Sequence, residues 1–280
     1  MRIVRGVLEM QAVCKDLRAG GGLLGFVPTM GALHEGHLSL VRRAKAECGV
    51  VVASIFVNPL QFGPGEDFGT YPRTFAEDCA RLEAEGVAVL FAPEAAEMYP
   101  AGAVTTVTVA GIGDRLDGAS RPGHFTGVAT VVAKLFHVVG PGRGYFGKKD
   151  AVQLAVLRQM VKDLNFDMEL VGCEIVRDAD GLALSSRNKY LNEVERGQAL
   201  VLHRALVAVE CAIAGGERES AALMRVGMEV LQGEAGVRVD YLAVVDANTM
   251  LPVERVGNGT LVAVAGYVGK TRLIDNFLVG

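Results

Sequence analysis

His34 and His37 stand three residues apart in the run Met30-Gly31-Ala32-Leu33-His34-Glu35-Gly36-His37. Two imidazoles at that spacing can both donate hydrogen bonds to one polyanion, and each can titrate near neutral pH. Gly31 and Gly36 carry no Cβ, so a ligand can come close to the backbone. Three readings share this pattern: phosphate binding, a His-x-x-His metal site, and histidines that serve only the fold. Further along, Gln153 follows Asp150 by three residues and shares its helical face, and Lys149 beside a helix start suits phosphate. Ser185, Ser186 and Arg187 set two hydroxyls and a guanidinium in sequence, which is either a phosphate clamp or a helix cap with a surface arginine. Asn58 and Gln61 are uncharged hydrogen-bonding groups that could select a hydroxyl-bearing carboxylic acid, although Asn before Pro is also turn chemistry. Arg121 and His124 fit either a second anion contact or a loop with a satisfied histidine.

Such groups need strand-to-helix junctions to hold them. Residues 23–27 read as a buried strand, and 38–46 as a helix with Leu40, Val41, Ala44 and Cys48 on one side. The histidines then lie at a strand's carboxyl end, where a doubly wound sheet opens its binding crevice. His37 falls at or near the first turn of the helix, whose free N–H groups and dipole favour phosphate. Residues 50–57 are a continuous run rich in β-branched side chains, the pattern of a strand covered on both faces, and Pro59 stops them. Residues 87–92, 104–109 and 168–176 read as further strands. Residues 7–19 read as an amphipathic helix with Leu8, Val13 and Leu17 as core contacts, and a long apolar helix follows His124 to about Val139. Glu77 and Asp78 open another helix, where acids suit the dipole. Residues 63–73 form a lid over the crevice or a plain connection. Beyond Asn192 come two helices (193–214 and 219–232) and then two strands (237–245 and 259–268), with Lys270 and Arg272 as surface charges. The expected fold is α/β: a Rossmann-like, doubly wound parallel sheet over 1–176 and a smaller C-terminal α+β lid domain over 177–280.

A chain of 280 residues lies near the length at which one core splits into two. Its 21% charged residues balance to a net −4 spread over both signs, which argues against a general nucleic-acid binder. Five cysteines without a Cys-x-x-Cys pair suggest neither a disulfide framework nor a zinc cage. Charges through the first sixteen residues leave no signal-peptide core, and runs such as 50–57 fall short of a membrane span. A cytoplasmic protein is expected.

The run Val27-Pro28-Thr29-Met30-Gly31-Ala32-Leu33-His34-Glu35-Gly36-His37 resembles the nucleotidyltransferase signature, and within that superfamily the pantoate–β-alanine ligases, or pantothenate synthetases. Asn58-Pro59-Leu60-Gln61-Phe62, then Gly147-Lys148-Lys149-Asp150 with Gln153, then Leu184-Ser185-Ser186-Arg187-Asn188 resemble the same family in the same order. Leu184 replaces the usual Met, a swap of similar volume, and Lys148 fills a variable slot with positive charge. The resemblance implies ATP-dependent condensation of (R)-pantoate with β-alanine through pantoyl adenylate, with Mg2+, in a homodimer. It implies catalytic roles for His34, His37, Lys149 and Arg187. ATP binding is implied for Met30 through His37, for Gly147 through Asp150, and for Val176 and Leu184 through Arg187. Gln61 and Gln153, with Asn58, are implied at pantoate, and Asp78 near the metal. Another adenylyltransferase of the superfamily is the alternative.

Overall fold

A computed structural model describes residues 1–280. Its strands β1 (Arg2–Val4), β2 (Leu24–Thr29), β3 (Val50–Ile55), β4 (Val89–Phe91), β5 (Gly142–Gly147) and β6 (Met168–Cys173) form one sheet, ordered β1-β4-β3-β2-β5-β6. Every neighbouring pair is parallel. Side chains alternate across a strand, so a sheet covered on both faces needs apolar residues at consecutive positions. Phe26, Val52, Val89, Phe91 and Phe146 enter one core, while Val27, Val51, Ala53, Leu90 and Tyr145 enter the other. Helices α2 (Glu35–Glu47) and α3 (Phe75–Ala84) close the second core with Leu40, Val41, Ala44 and Leu82. Helix α1 (Val7–Ala19) lies on the first face. The one-turn helices α4 (Ala95–Met98) and α5 (Asp117–Ser120) lead to α6 (His124–Val139), buried along most of its length, and α7 (Ala151–Asp163) follows β5.

From β2 the chain builds outward through β3 and β4 to meet β1, and β5 then docks on the other edge of β2. The crevice beyond the carboxyl ends of β2 and β5 is therefore the topological switch point. The sheet is the doubly wound parallel one expected.

Residues 104–109, expected as a strand, join no ladder. The edge beside β4 is taken by β1, whose three residues are too few to show a period. The displaced segment runs exposed along α6, with the Val107 N–H donating to Thr130 Oγ1 at 2.9 Å. The strand expected to reach Val176 ends at Cys173, because residues 174–176 turn into the crevice wall. Leu8 is 80% exposed, and α1 packs instead through Met10, Val13 and Cys14, with Leu17 alongside.

The second unit stacks α8 (Glu193–Ala214) and α9 (Ser220–Gln232) on an antiparallel sheet ordered β7 (Val237–Asp246), β8 (Thr260–Val268), β9 (Thr271–Val279). The 22 residues of α8 are long and apolar enough to cross a bilayer, but Ala199, Leu202, Leu206 and Val209 pack its inner face into this unit's core. Val245, Leu261 and Ala263 on the sheet's other face, with Met250 from the connection between β7 and β8, join the core of the first unit. Three strands stand where two were expected. β9 escaped notice because Arg272, Asp275 and Asn276 interrupt its apolar pattern. Arg272 is not a surface charge: it is largely buried between Asp117 Oδ1 (2.7 Å) and Asp240 Oδ2 (2.8 Å).

Candidate active site

The loop after β2 turns sharply to meet α2. Gly31 adopts φ +81°, and a Cβ there would sit 3.0 Å from Asp78 Oδ2. Ala32 follows with φ 51°, unusual for a residue with a side chain. Asp78 holds this conformation from α3, accepting the N–H groups of Ala32 (2.9 Å) and Leu33 (2.8 Å) and the Thr74 hydroxyl (3.2 Å). Its carboxylate is 1% exposed and committed to closing the loop. Gly31, Ala32 and Leu33 are correspondingly buried as framework, and Glu35 turns outward to pair with Arg42.

His34 is the residue before α2, and its N–H donates to His37 Nδ1 at 3.3 Å. Nδ1 of His37 must then be bare, which leaves the proton of the neutral ring on Nε2. The two rings lie 4.0 Å apart at 37°, and Gly36 permits this, since a Cβ there would meet the His34 ring at 2.9 Å. Burial, reinforced by Lys149, pushes His34 down to about 4; burial, reinforced by His34, pushes His37 down to about 3. Both imidazoles are therefore uncharged hydrogen-bond donors at neutral pH. His34 Nδ1 is buried without a partner in the chain.

Opposite them, the turn from β5 into α7 presents Lys149, with Nζ 3.5 Å from Asp150 Oδ1. Burial raises the Asp150 carboxyl, but Lys149 and Arg187 outweigh it and hold the group below the usual carboxylate range. Lys148 points away and pairs with Glu174. The third side is a small hairpin: Leu184 N–H donates to Val176 O (2.9 Å), Asp178 N–H to Leu182 O (2.9 Å), and Gly181 makes the turn with φ +94°. Past it, Ser185 caps a short 3-10 helix by accepting the Arg187 N–H at 3.3 Å.

Gln61 comes from the turn after β3. Its Nε2 donates to Met30 Sδ (3.1 Å) and its Oε1 accepts from Asn58 Nδ2 (3.1 Å). Asn58 is 1% exposed, donates to Gly127 O (3.1 Å) and accepts from the Tyr99 hydroxyl (2.7 Å). It is thus committed to orienting Gln61 and the turn. His124 donates from Nδ1 to Gln61 O at 2.7 Å and receives Arg121 Nη1 on Nε2 at 3.0 Å. Burial, with Arg121 beside it, lowers His124 to about 4.

These elements enclose a cavity of about 250 Å3. Met30, His34, Gly36, His37 and Gln61 line one side; Gly147, Lys149, Asp150 and Gln153 line another; Val176, Leu184, Ser185, Ser186 and Arg187 close it. Lys149, Gln153 and Arg187 are shared with an adjoining cleft of about 1420 Å3 that runs toward β9 and the loop at 63–67. Gly31, Ala32, Leu33, Glu35, Lys148 and Asp78 do not line the cavity. Sequence reasoning missed its apolar floor, Phe56, Val128, Val132, Leu135 and Phe146, although the unbroken apolar face of α6 was the available signal. It also missed the acid pair of the loop: Asp67 receives Arg187 on both oxygens (3.0 and 2.9 Å), and Glu66 receives Arg121 likewise (2.7 and 2.7 Å).

Uncharged donors, a lysine, two arginines and two hydroxyls around a space with an apolar floor suit a polyphosphate next to a small acid carrying apolar carbon. No cluster of three His, Cys, Asp or Glu side chains is present to cage a metal.

The sequence profile of the Pantoate-beta-alanine ligase family matches residues 2–278. The pantothenate synthetase of Acidobacterium capsulatum is 60% identical over 100% of this chain and 97% of its own, and that of Koribacter versatilis is 55% identical over 100% and 96%. Among solved structures, pantothenate synthetase from Thermus thermophilus superposes with a TM-score of 0.94 at 50% identity, covering 99% of both chains. Pantoate-beta-alanine ligase from Francisella tularensis, complexed with beta-gamma ATP and beta-alanine, gives a TM-score of 0.80 at 35% identity over 99% of this chain and 97% of that one. The chain is an enzyme of the pantoate–β-alanine ligase family.

Proposed function

We propose that the enzyme condenses (R)-pantoate with β-alanine at the expense of ATP, through pantoyl adenylate, and releases AMP and pyrophosphate in the cytoplasm. The observation that carries this reading is the convergence of His34, His37, Lys149, Arg187, Gln61 and Gln153 on one cavity at the switch point. The triphosphate lies at the start of α2, against both imidazoles, Lys149 and the Ser185–Arg187 turn, with the adenine toward Val176 and Leu184. Pantoate lies deeper, its hydroxyls on Gln61 and Gln153 and its methyl groups on the floor formed by α6. Its carboxylate attacks the α-phosphorus and displaces pyrophosphate. The β-alanine amine then attacks the acyl carbon and displaces AMP.

The first step brings one anion to another. At 4 Å and an effective dielectric near 20, two unit charges repel by about 4 kcal/mol. Lys149 and Arg187 offset that repulsion, and the neutral imidazoles donate hydrogen bonds to phosphate oxygens without adding charge. The chain's part is positioning and charge stabilisation, with no covalent enzyme nucleophile. Asp150 is the carboxylate in the cavity wall that would help to hold a magnesium ion bound with ATP, phosphate and water supplying the rest. Such an ion would supply further neutralisation of phosphate charge.

The reading is tested with pantoate carrying 18O in its carboxylate. AMP that has gained one 18O after ATP and β-alanine are added is the expected result. Production of ADP and phosphate instead would falsify it.

For assembly, the partner in this reading is a second copy of the chain. Residues 103–109 are rich in Val and Thr, mostly exposed, and without a ladder, and Val104 is 91% exposed. Two such segments pairing antiparallel give a closed two-fold dimer and remove a hazardous free edge. Sedimentation should show a dimer for the unaltered chain and a monomer for Thr106→Pro. A monomeric unaltered chain excludes this assembly.

A further inference from the structure

β9 runs through the second unit, yet it carries two adjacent polar side chains, Asp275 and Asn276, each 4% exposed. Asp275 receives Arg177 on both oxygens, at 2.6 and 2.8 Å, and so ties down the segment that leaves β6 for the cavity wall. It also accepts the N–H of Asn276 at 2.8 Å. Asn276 reaches across to the first unit. Its Nδ2 donates to the carbonyl of Lys149 at 2.7 Å and to that of Lys148 at 3.1 Å, so each amide hydrogen has one acceptor. Neither carbonyl accepts from any other group in the chain. The turn is otherwise held by Lys148 N–H to Cys173 O (2.8 Å) and by a long bond from Asp150 N–H to Gly147 O (3.3 Å).

We propose that Asn276 is a positioning residue for the ATP-dependent step, fixing from the second unit the backbone turn that aims the Lys149 ammonium at the phosphates. This rests on the reading above that Lys149 meets the triphosphate. A lysine has a flexible stem, so its ammonium is placed only as well as its backbone is placed. Removing the amide leaves two carbonyls without donors and lets the turn shift, and small displacements of a catalytic cation cost large factors in rate. The second step needs no phosphate charge neutralised by Lys149 in the same way, so the two steps should separate.

The test measures two rates: pyrophosphate release from ATP and pantoate in a single turnover, and aminolysis of supplied pantoyl adenylate by β-alanine. Asn276→Leu, near in size and without a donor, and Asn276→Ser, smaller and too short to reach, should each slow the first rate by about tenfold or more and the second by less than about twofold. Asn276→Gln, which keeps the amide on a longer arm, should recover part of the loss. In a Lys149→Ala background, Asn276→Leu should cost less than about twofold further, because both changes act through one group. If Asn276→Leu fails to fold, Asn276→Ser carries the comparison. Normal first-step rates in the folded variants, equal slowing of both steps, or fully additive losses with Lys149→Ala overturn the inference. An unaltered chain that makes no AMP removes the activity reading and this inference with it, whereas an active one with an indifferent Asn276 removes the inference alone.

Discussion

At the scale of single residues, the site separates groups that face the cavity from groups that hold those groups. Gln61 is the clearest case, because its amide is oriented by Asn58 and Met30 while its face borders the cavity. A site built to bond a hydroxyl leaves its own polar groups unpaired when that bond is lost, at about 1–3 kcal/mol each. Gln61→Ala and Gln153→Ala should therefore raise KM for pantoate by roughly 5- to 150-fold, with ATP affinity unchanged in a direct binding titration. Equal losses of both ligands would place the glutamines elsewhere. The imidazoles yield a second prediction. Burial holds His34 at about 4, His37 at about 3 and His124 at about 4, against roughly 6.5 in the unfolded chain. Between those values the unfolded state binds more protons, so stability rises with pH there. Melting temperature should thus be level above about pH 7 and fall as pH drops from about 6.5 toward 4, and His37→Asn, which keeps an acceptor for the His34 N–H, should fall less steeply. A melting temperature that rises on acidification through this window contradicts neutral, buried rings. The sequence made the histidines, Lys149, the glutamines and Arg187 legible because each sits at a strand end in a motif. It could not show that Asp78 and Asn58 face inward, since burial of a short polar side chain depends on distant backbone partners such as those of Ala32 and Gly127.

At the scale of elements, the loop at 63–70 brings two carboxylates to the arginines of the cavity wall. Its Asp67 occupies the fork of Arg187 and its Glu66 that of Arg121, so in the proposed complex two carboxylates compete with phosphate oxygens for these arginines. In the proposed reaction, nucleotide must displace at least the Asp67 pair before Arg187 can clamp it. Asp67→Asn should release the arginine and lower KM for ATP by about 3- to 10-fold, a modest figure because both side chains retain partial solvent access that screens the pair. Raised salt should narrow the difference between the two proteins, since screening weakens the competing pair. A raised KM in Asp67→Asn would mean that the pair belongs to the nucleotide-bound arrangement instead. Elements were legible where periodicity was sustained: α8, β3 and β8 follow their apolar patterns closely, and α1 keeps its expected bounds although Leu8 faces solvent. They were illegible where an element is short or mixed. β1 has three residues, and the Val- and Thr-rich run 104–109 satisfied a strand pattern although β1 takes the edge beside β4.

At the scale of the whole molecule, the two units are joined by charge as well as by apolar contact. Arg272 of β9 pairs with Asp117 at the start of α5 and with Asp240 of β7, at 2.7 and 2.8 Å. Asp240 lies at a register shift in β7, where a bulge re-aims a side chain, and it also accepts the Ser120 hydroxyl at 2.7 Å. Tyr241 donates its hydroxyl to Asp117 at 3.2 Å, so the network spans both units and ends one residue from Arg121. Nothing in the local sequence marks Arg272 as buried, because its partners lie 32 and more residues away. Removing one side of a buried ion network leaves the opposite charges uncompensated, at about 3–5 kcal/mol. Arg272→Met should accordingly lower the melting temperature by roughly 6–20 °C for a chain of this size. Arg272→Lys keeps the charge but loses the two-pronged fork, and should fall between the two. The discriminating variant replaces all three, Arg272→Met with Asp117→Asn and Asp240→Asn. Because exchanging a whole buried network for neutral groups is often close to neutral in stability, this triple change should recover most of what Arg272→Met alone loses. A triple variant no more stable than the single one would show that Arg272 acts through its packed stem and not through the carboxylates around it.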